Sequence, residues 1–188
     1  FGSVRGRFAG GGRVLEEGLE RDSGNALTPA RGKALVRAGA FAITMGDYAL
    51  ALPHLGESLA FSQAAGDRKG QARALAGLGV VAMWQSRFEE ALRIGQESLE
   101  LSREIGEPRG IAVALHNLGT IEWALKLPDS GRARLEAALQ LFRETGDQGS
   151  EALCLAGLAS SLVRTGDPAS ALVRLRECLA LVQGLELA

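Results

Sequence analysis

Few residues in this chain could do covalent or metal chemistry, and their spacing works against both. Only two histidines occur, His54 and His116, in different parts of the 188 residues. Acid–base or zinc-assisted chemistry needs such groups to converge, as in His-Glu-x-x-His, Cys-x-x-Cys or Gly-x-Ser-x-Gly, and none of these patterns appears. The acidic pair Glu89-Glu90 reads as solvated charge at a helix start, where it complements the helix dipole. Gly10, Gly11 and Gly12 could cradle a phosphate, but no Gly-Lys-Ser/Thr follows them. These three glycines also lower helix stability, by roughly 1 kcal/mol each against alanine. The expectation is a non-enzymatic chain with no catalytic residue, no metal and no cofactor. If it acts, it acts by binding.

Composition narrows the partners. The chain is 46% hydrophobic and 23% charged, enough apolar surface for a core. Only 5% is aromatic, so alanine and leucine must build a helical core with close contacts. A net charge of −1 argues against a nucleic-acid surface and gives no attraction to acidic membranes. The longest apolar run, Ala74 to Trp84, is too short to span a bilayer, and no signal peptide is visible. A cytoplasmic location follows as an expectation. Cys154 and Cys178 read as reduced core residues rather than a disulfide framework. His54 is expected to be exposed.

The elements that position these residues come from a repeat. The stretch Gly70 to Arg109 superimposes on the sequence 40 residues later, again 80 residues later, and 40 residues earlier, without insertion or deletion. A fixed period in this range decides architecture before any local reading. First helices are expected at about 30–45, 70–85, 110–125 and 150–165, from apolar residues three and four apart. Second helices are expected at about 48–65, 88–105, 128–145 and 168–183. Thr28-Pro29 and Asp167-Pro168 read as cap and first helical position. Gly66, Gly106 and Gly146 suit left-handed helix terminators. Pro53 conflicts with its helix and should kink it or delay its start.

The full repeats are then 30–67, 70–107, 110–147 and 150–188, with 1–22 a partial repeat in front. No helix pair can bury its apolar face alone, so neighbours stack. The expected fold is all-α, a right-handed α-solenoid of antiparallel helix pairs in a single domain over 1–188. The chain begins partway through a repeat, which suggests a fragment of something longer.

Small residues recur where helices must approach. Gly39, Gly79, Gly119 and Ala159 share one register on the first helices, and Ala51, Ala91, Gly131 and Ala171 share one on the second. Core positions on the first helices are Leu35/Leu75/Leu115/Leu155 and Ala38/Leu78/Leu118/Leu158. On the second they are Leu55/Gly95/Leu135/Leu175 and Ser58/Ser98/Ala138/Cys178. The Leu-x-x-Leu-Gly segments, the Gly46-Asp47-Tyr48 turn and Ala51 three residues later resemble the tetratricopeptide repeat family. The unit departs from the family pattern in its 40-residue length, against a usual 34 or so. Leucine also replaces the usual first-helix tryptophan. The long unit looks like the repeat arms of bacterial STAND-type ATPases and LuxR-type transcription regulators.

That resemblance implies a concave groove lined by the first helices. Its facing positions here include Arg73, Val80, Met83, Trp84, His116, Asn117, Thr120 and Trp123. The groove is small and apolar with a few polar handles, and the family's basic clamp for peptide carboxylates is not reproduced. Met83-Trp84 departs from Ile43-Thr44 and Val163-Arg164 at the same register, which marks it as the place to look for binding. The tryptophans could instead pack between repeats. The implied role is an interaction or sensor module in a bacterial transcription regulator. It would bind a protein, a peptide or another domain of the same chain, with no direct nucleic acid and no membrane. The alternative is a small-molecule effector site in the same groove. Uncapped ends make a homodimer a further expectation.

Overall fold

The computed structural model describes residues 29–186. Among these, eight helices follow one another with short turns and no strand. They are α1 (Pro29–Met45), α2 (Tyr48–Ala64), α3 (Arg68–Trp84), α4 (Phe88–Glu104), α5 (Pro108–Ala124), α6 (Pro128–Thr145), α7 (Gln148–Arg164) and α8 (Pro168–Glu186). The Gly10–Gly12 reading, the partial repeat 1–22 and the cap at Thr28 lie outside the described residues. The helices pair α1 with α2, α3 with α4, α5 with α6 and α7 with α8. Each pair packs on the next, and the odd-numbered helices also meet one another. The result is a right-handed α-solenoid.

Local chemistry places the boundaries. Inside each pair the turn passes through one left-handed residue: Gly46 (φ 76°), Ser86 (φ 61°), Lys126 (φ 61°) and Gly166 (φ 86°). Between pairs, Gly66, Gly106 and Gly146 take φ of 65°, 65° and 67°. The residue after each of these glycines donates back into the helix it has left. Asp67 N–H reaches the Ser62 carbonyl at 2.8 Å, Glu107 reaches Ser102 at 3.1 Å, and Asp147 reaches Phe142 at 3.0 Å. The acids then start the next helix. Asp47, Asp67, Asp147 and Asp167 accept from the backbone N–H three residues on, at Leu50, Gly70, Ser150 and Ser170. Glu107 makes no such cap and instead pairs with Lys69 and Arg73 of α3. The start of α2 is not delayed by Pro53, which sits at its sixth residue.

Packing follows the 40-residue register. Leu35, Leu75, Leu115 and Leu155 are all buried, and the largest apolar cluster joins Leu99, Leu118, Leu135, Phe142 and Leu158 across α4 to α7. One polar contact repeats as well. The Ser58 hydroxyl donates to the Gly32 carbonyl (3.1 Å), Ser98 donates to Ala72 (2.8 Å), and the Cys178 thiol occupies the same place against Ala152 (3.3 Å). Each bond ties a second helix to the first turns of its own pair without leaving a buried hydroxyl unpaired. Both cysteines are free. The Cys154 thiol donates to the Leu135 carbonyl at 3.1 Å, and burial pushes its pKa up to about 12.

Two expectations need correction. Leu175 shares the register of Leu55 and Leu135 but is 48% exposed, because no later helix among the described residues covers α8. Leu172, Val173, Leu179 and Val182 are exposed on α8 for the same reason. His54 is half-buried rather than exposed, and its Nε2 is shut off from solvent with no hydrogen-bond partner among the described residues. Its register is that of Ile94, a buried apolar position, so the helix turns it inward.

Candidate functional site

A cavity of about 490 Å³ opens where the C-terminal ends of α3, α5 and α7 converge. The odd-numbered helices stack side by side, so residues 40 apart line up across the groove. Met83 and Trp84 come from α3, Thr120, Trp123 and Ala124 from α5, and Gly157, Ser160, Ser161 and Arg164 from α7. Ser86, Phe88 and Leu135 complete the wall.

Four of the eight residues named from the sequence stand in this cavity: Met83, Trp84, Thr120 and Trp123. Trp84 is 59% exposed and stacks on Tyr48 of the preceding pair, with ring centroids 5.6 Å apart and planes at 15°. It therefore does two jobs, joining neighbouring repeats with one face and offering the rest to solvent. Trp123 is half-buried, and its indole edge lies against Gly131 at the start of α6. The Arg164 guanidinium sits 5.4 Å above its ring, a cation–π contact. Thr120 spends its hydroxyl on the His116 carbonyl of its own helix (3.0 Å), so it presents mainly a methyl group.

The other four stand elsewhere. Arg73 lies near the opposite end of α3 and pairs with Glu107 at 3.2 Å. Asn117 donates to the Ala76 carbonyl at 3.3 Å, which ties α5 to α3. His116 packs edge-on against Phe142, with ring centroids 6.5 Å apart. Burial lowers its pKa, and the hydrogen bond with Asn117 offsets part of that shift. Val80 is half-buried and does not line the cavity.

The sequence reading passed over three features. Ser161 occupies the register of Val81 and Ile121, both fully buried. It is itself buried, and its hydroxyl has no partner among the described residues. Glu122 occupies the register of Ala42 and Ala82, is 5% exposed, and pairs with Arg134 at 2.7 Å. Its other oxygen has no partner among the described residues. Both were legible as polar residues breaking an apolar column of the repeat. Arg164 was in view only as the counterpart of Trp84. It makes no ion pair among the described residues and is the one charged residue lining the cavity.

Among the described residues no three His, Cys, Asp or Glu side chains gather to hold a metal ion. No helix there is long and apolar enough to cross a membrane. The arrangement is suited to holding an apolar group against indole faces, with hydrogen bonding at a few points.

Antiparallel helix pairs stacked in fixed register around a groove define a helical-repeat solenoid. The particular repeat is the tetratricopeptide repeat, whose family profile matches residues 31–104, 70–129 and 110–183. The chain belongs to that family. No curated protein sequence matches it. Solved structures with the same fold include a Rap protein complexed with competence and sporulation factor, at 15% identity and a TM-score of 0.75, covering 81% of this chain and 43% of that one. BtubC from P. vanneervenii is similar at 19% identity and a TM-score of 0.71, with 96% and 74% covered. A putative kinesin light chain of Podospora anserina matches at 14% identity and a TM-score of 0.64, with 98% and 91% covered. The chain spans less than half of the Rap protein and 63% of RapI, another similar structure.

Proposed function

We propose that this chain is a protein-interaction module that receives a partner segment in its concave groove, centred on the cavity between α3, α5 and α7. One observation carries the reading. Trp84 stands 59% exposed at the cavity rim, at a register where α1 has Thr44 and α7 has Arg164. A large exposed aromatic beside a concave apolar wall is the usual anchor of an interface. Family membership and the Rap-like fold support a protein or peptide as the partner. The long repeat unit, similar to those of STAND-type and LuxR-type regulators, favours a sensor arm in a larger bacterial regulator. Another domain of the same chain would serve as partner equally well.

The test is differential capture from lysate of the source cells. Thr120→Arg places a bulky cation in the cavity, while Arg93→Glu alters an exposed outer position on α4. Partners retained by the outer variant and lost by the cavity variant support the reading. Partners retained equally by both would sink it.

A further inference from the structure

The cavity has an inner part that a protein partner does not explain. At the two preceding junctions, Val81 and Ile121 are fully buried and fill the space against the neighbouring repeat. At the third, Ser161 takes their place, and the cavity of about 490 Å³ reaches inward as far as Leu135. That volume lies within the range of roughly 300–1,000 Å³ typical of small-molecule sites. Here a hydroxymethyl group stands where the two preceding repeats carry a β-branched side chain.

Its polar groups are few and unequally free. The Thr120 and Ser160 hydroxyls are engaged by carbonyls of their own helices, each at 3.0 Å. The Trp123 Nε1 has no partner among the described residues but lies against Gly131 on α6, so it is not counted as facing the ligand. That leaves the Ser161 hydroxyl inside, on a residue only 3% exposed, and two exposed groups at the mouth, the Ser86 hydroxyl and the Arg164 guanidinium, of which Arg164 alone is charged. A buried hydroxyl without a partner carries a desolvation penalty that a ligand atom would relieve. The guanidinium has no competing carboxylate, because no acidic residue lines the cavity. Met83, Trp84, Phe88, Trp123 and Leu135 make most of the remaining wall apolar, with aromatic faces among them.

We infer that this cavity binds a small aromatic carboxylic acid. Its ring seats among Met83, Trp84 and Leu135, its carboxylate pairs with Arg164, and its inner end carries a group that hydrogen-bonds Ser161. The site extends beyond the interaction reading, since it needs no partner protein.

Calorimetric titration of the purified chain with three indoles of the same ring size tests the charge assignment. They are indole-3-acetate, its neutral amide, and tryptamine. The acid should bind best, the amide about tenfold more weakly, and the amine weakest, as expected for one hydrogen bond to a charged group. Arg164→Gln should bring acid and amide to equal affinity. Ser161→Val, which restores the residue type of position 81, should abolish binding of all three while the melting temperature holds or rises. Equal binding of the three ligands, or unchanged binding by Ser161→Val, would overturn the assignment. Binding of an acidic, phenylalanine-centred peptide with none of the free acid would also overturn it, while leaving the groove reading intact. Absence of binding by acid and peptide alike would remove the free acid and count against the groove.

Discussion

Gly119 of α5 and Gly131 of α6 face each other so closely that a Cβ on either would stand 2.8 Å from the other's carbonyl oxygen. This crossing sets the spacing of the third helix pair and holds Trp123 against α6, where its Cδ1 would lie 2.8 Å from a Gly131 Cβ. The cavity wall therefore rests on two glycines. Backbone atoms cannot swing aside as a flexible side chain can.

Gly119→Ala should destabilise the chain, and Gly119→Leu should cost about 3 kcal/mol or more, because overpacking here meets backbone. Gly79 holds the same register on α3, but its nearest neighbour would be 3.6 Å away, an ordinary contact. Gly79→Ala should be tolerated or stabilising, by up to roughly 1 kcal/mol from helix propensity. Thermal melts of the two alanine variants should move in opposite directions.

The two tryptophans should separate in the same assay. Trp84→Ala removes a ring that is 59% exposed and stacked on Tyr48, which predicts a loss near the 0.5–1.5 kcal/mol or so of an aromatic pair. Trp123→Ala empties a half-buried site against α6 and should cost more, toward about 3 kcal/mol. Denaturant unfolding of both variants measures the difference.

Glu122 and Arg134 make an ion pair in which only the carboxylate is buried. Glu122 has alanine counterparts at 42 and 82, so Glu122→Ala returns the column to its usual residue and should cost little. Its partner Arg134 has a side chain still 29% accessible to water. Arg134→Leu strands the buried carboxylate and should cost about 3–5 kcal/mol. Chemical denaturation of the two single variants tests this asymmetry.

His116 should make stability fall as the solution turns acidic. Burial lowers its folded pKa beneath the unfolded value of about 6.5, so the unfolded chain binds the proton more readily. Its contribution is present above that pH and is lost as pH falls toward the folded pKa. Asp147 acts in a lower window. Burial alone would raise its pKa, but hydrogen bonds from Arg109 and Ser150 outweigh that and hold it below the usual carboxylate range. His116→Ala, which copies Ala76 and Ala156, should flatten the loss between neutral and mildly acidic pH. Unfolding midpoints compared between wild type and variant across that interval measure it.

Much of the fold was legible because one register recurs. Four leucines 40 apart, glycines closing α2, α4 and α6, and acids before α2, α3, α5, α7 and α8 leave little freedom in the helix boundaries. The groove was legible only in part. Sequence register puts His116, Asn117 and Val80 on the same helices as Trp84 and Trp123, but the register does not give their neighbours. His116 goes to Phe142 and Asn117 to Ala76 because both lie toward adjoining helices. Arg73 is taken by Glu107, the one acid between repeats that does not cap the next helix. Ser161 escaped notice because a serine in a helix looks ordinary until it is aligned with Val81 and Ile121. The exposure of Leu175 reflects what packs on α8, which no repeat register supplies.

The proposed binding surface is the concave side, at the C-terminal ends of α3, α5 and α7. Hydrogen–deuterium exchange of the chain with and without a captured partner tests it most directly. New protection is expected at residues 80–88, 120–124 and 157–164. Protection confined to the outer faces of α4 and α6, or to the exposed apolar strip of α8, would contradict it.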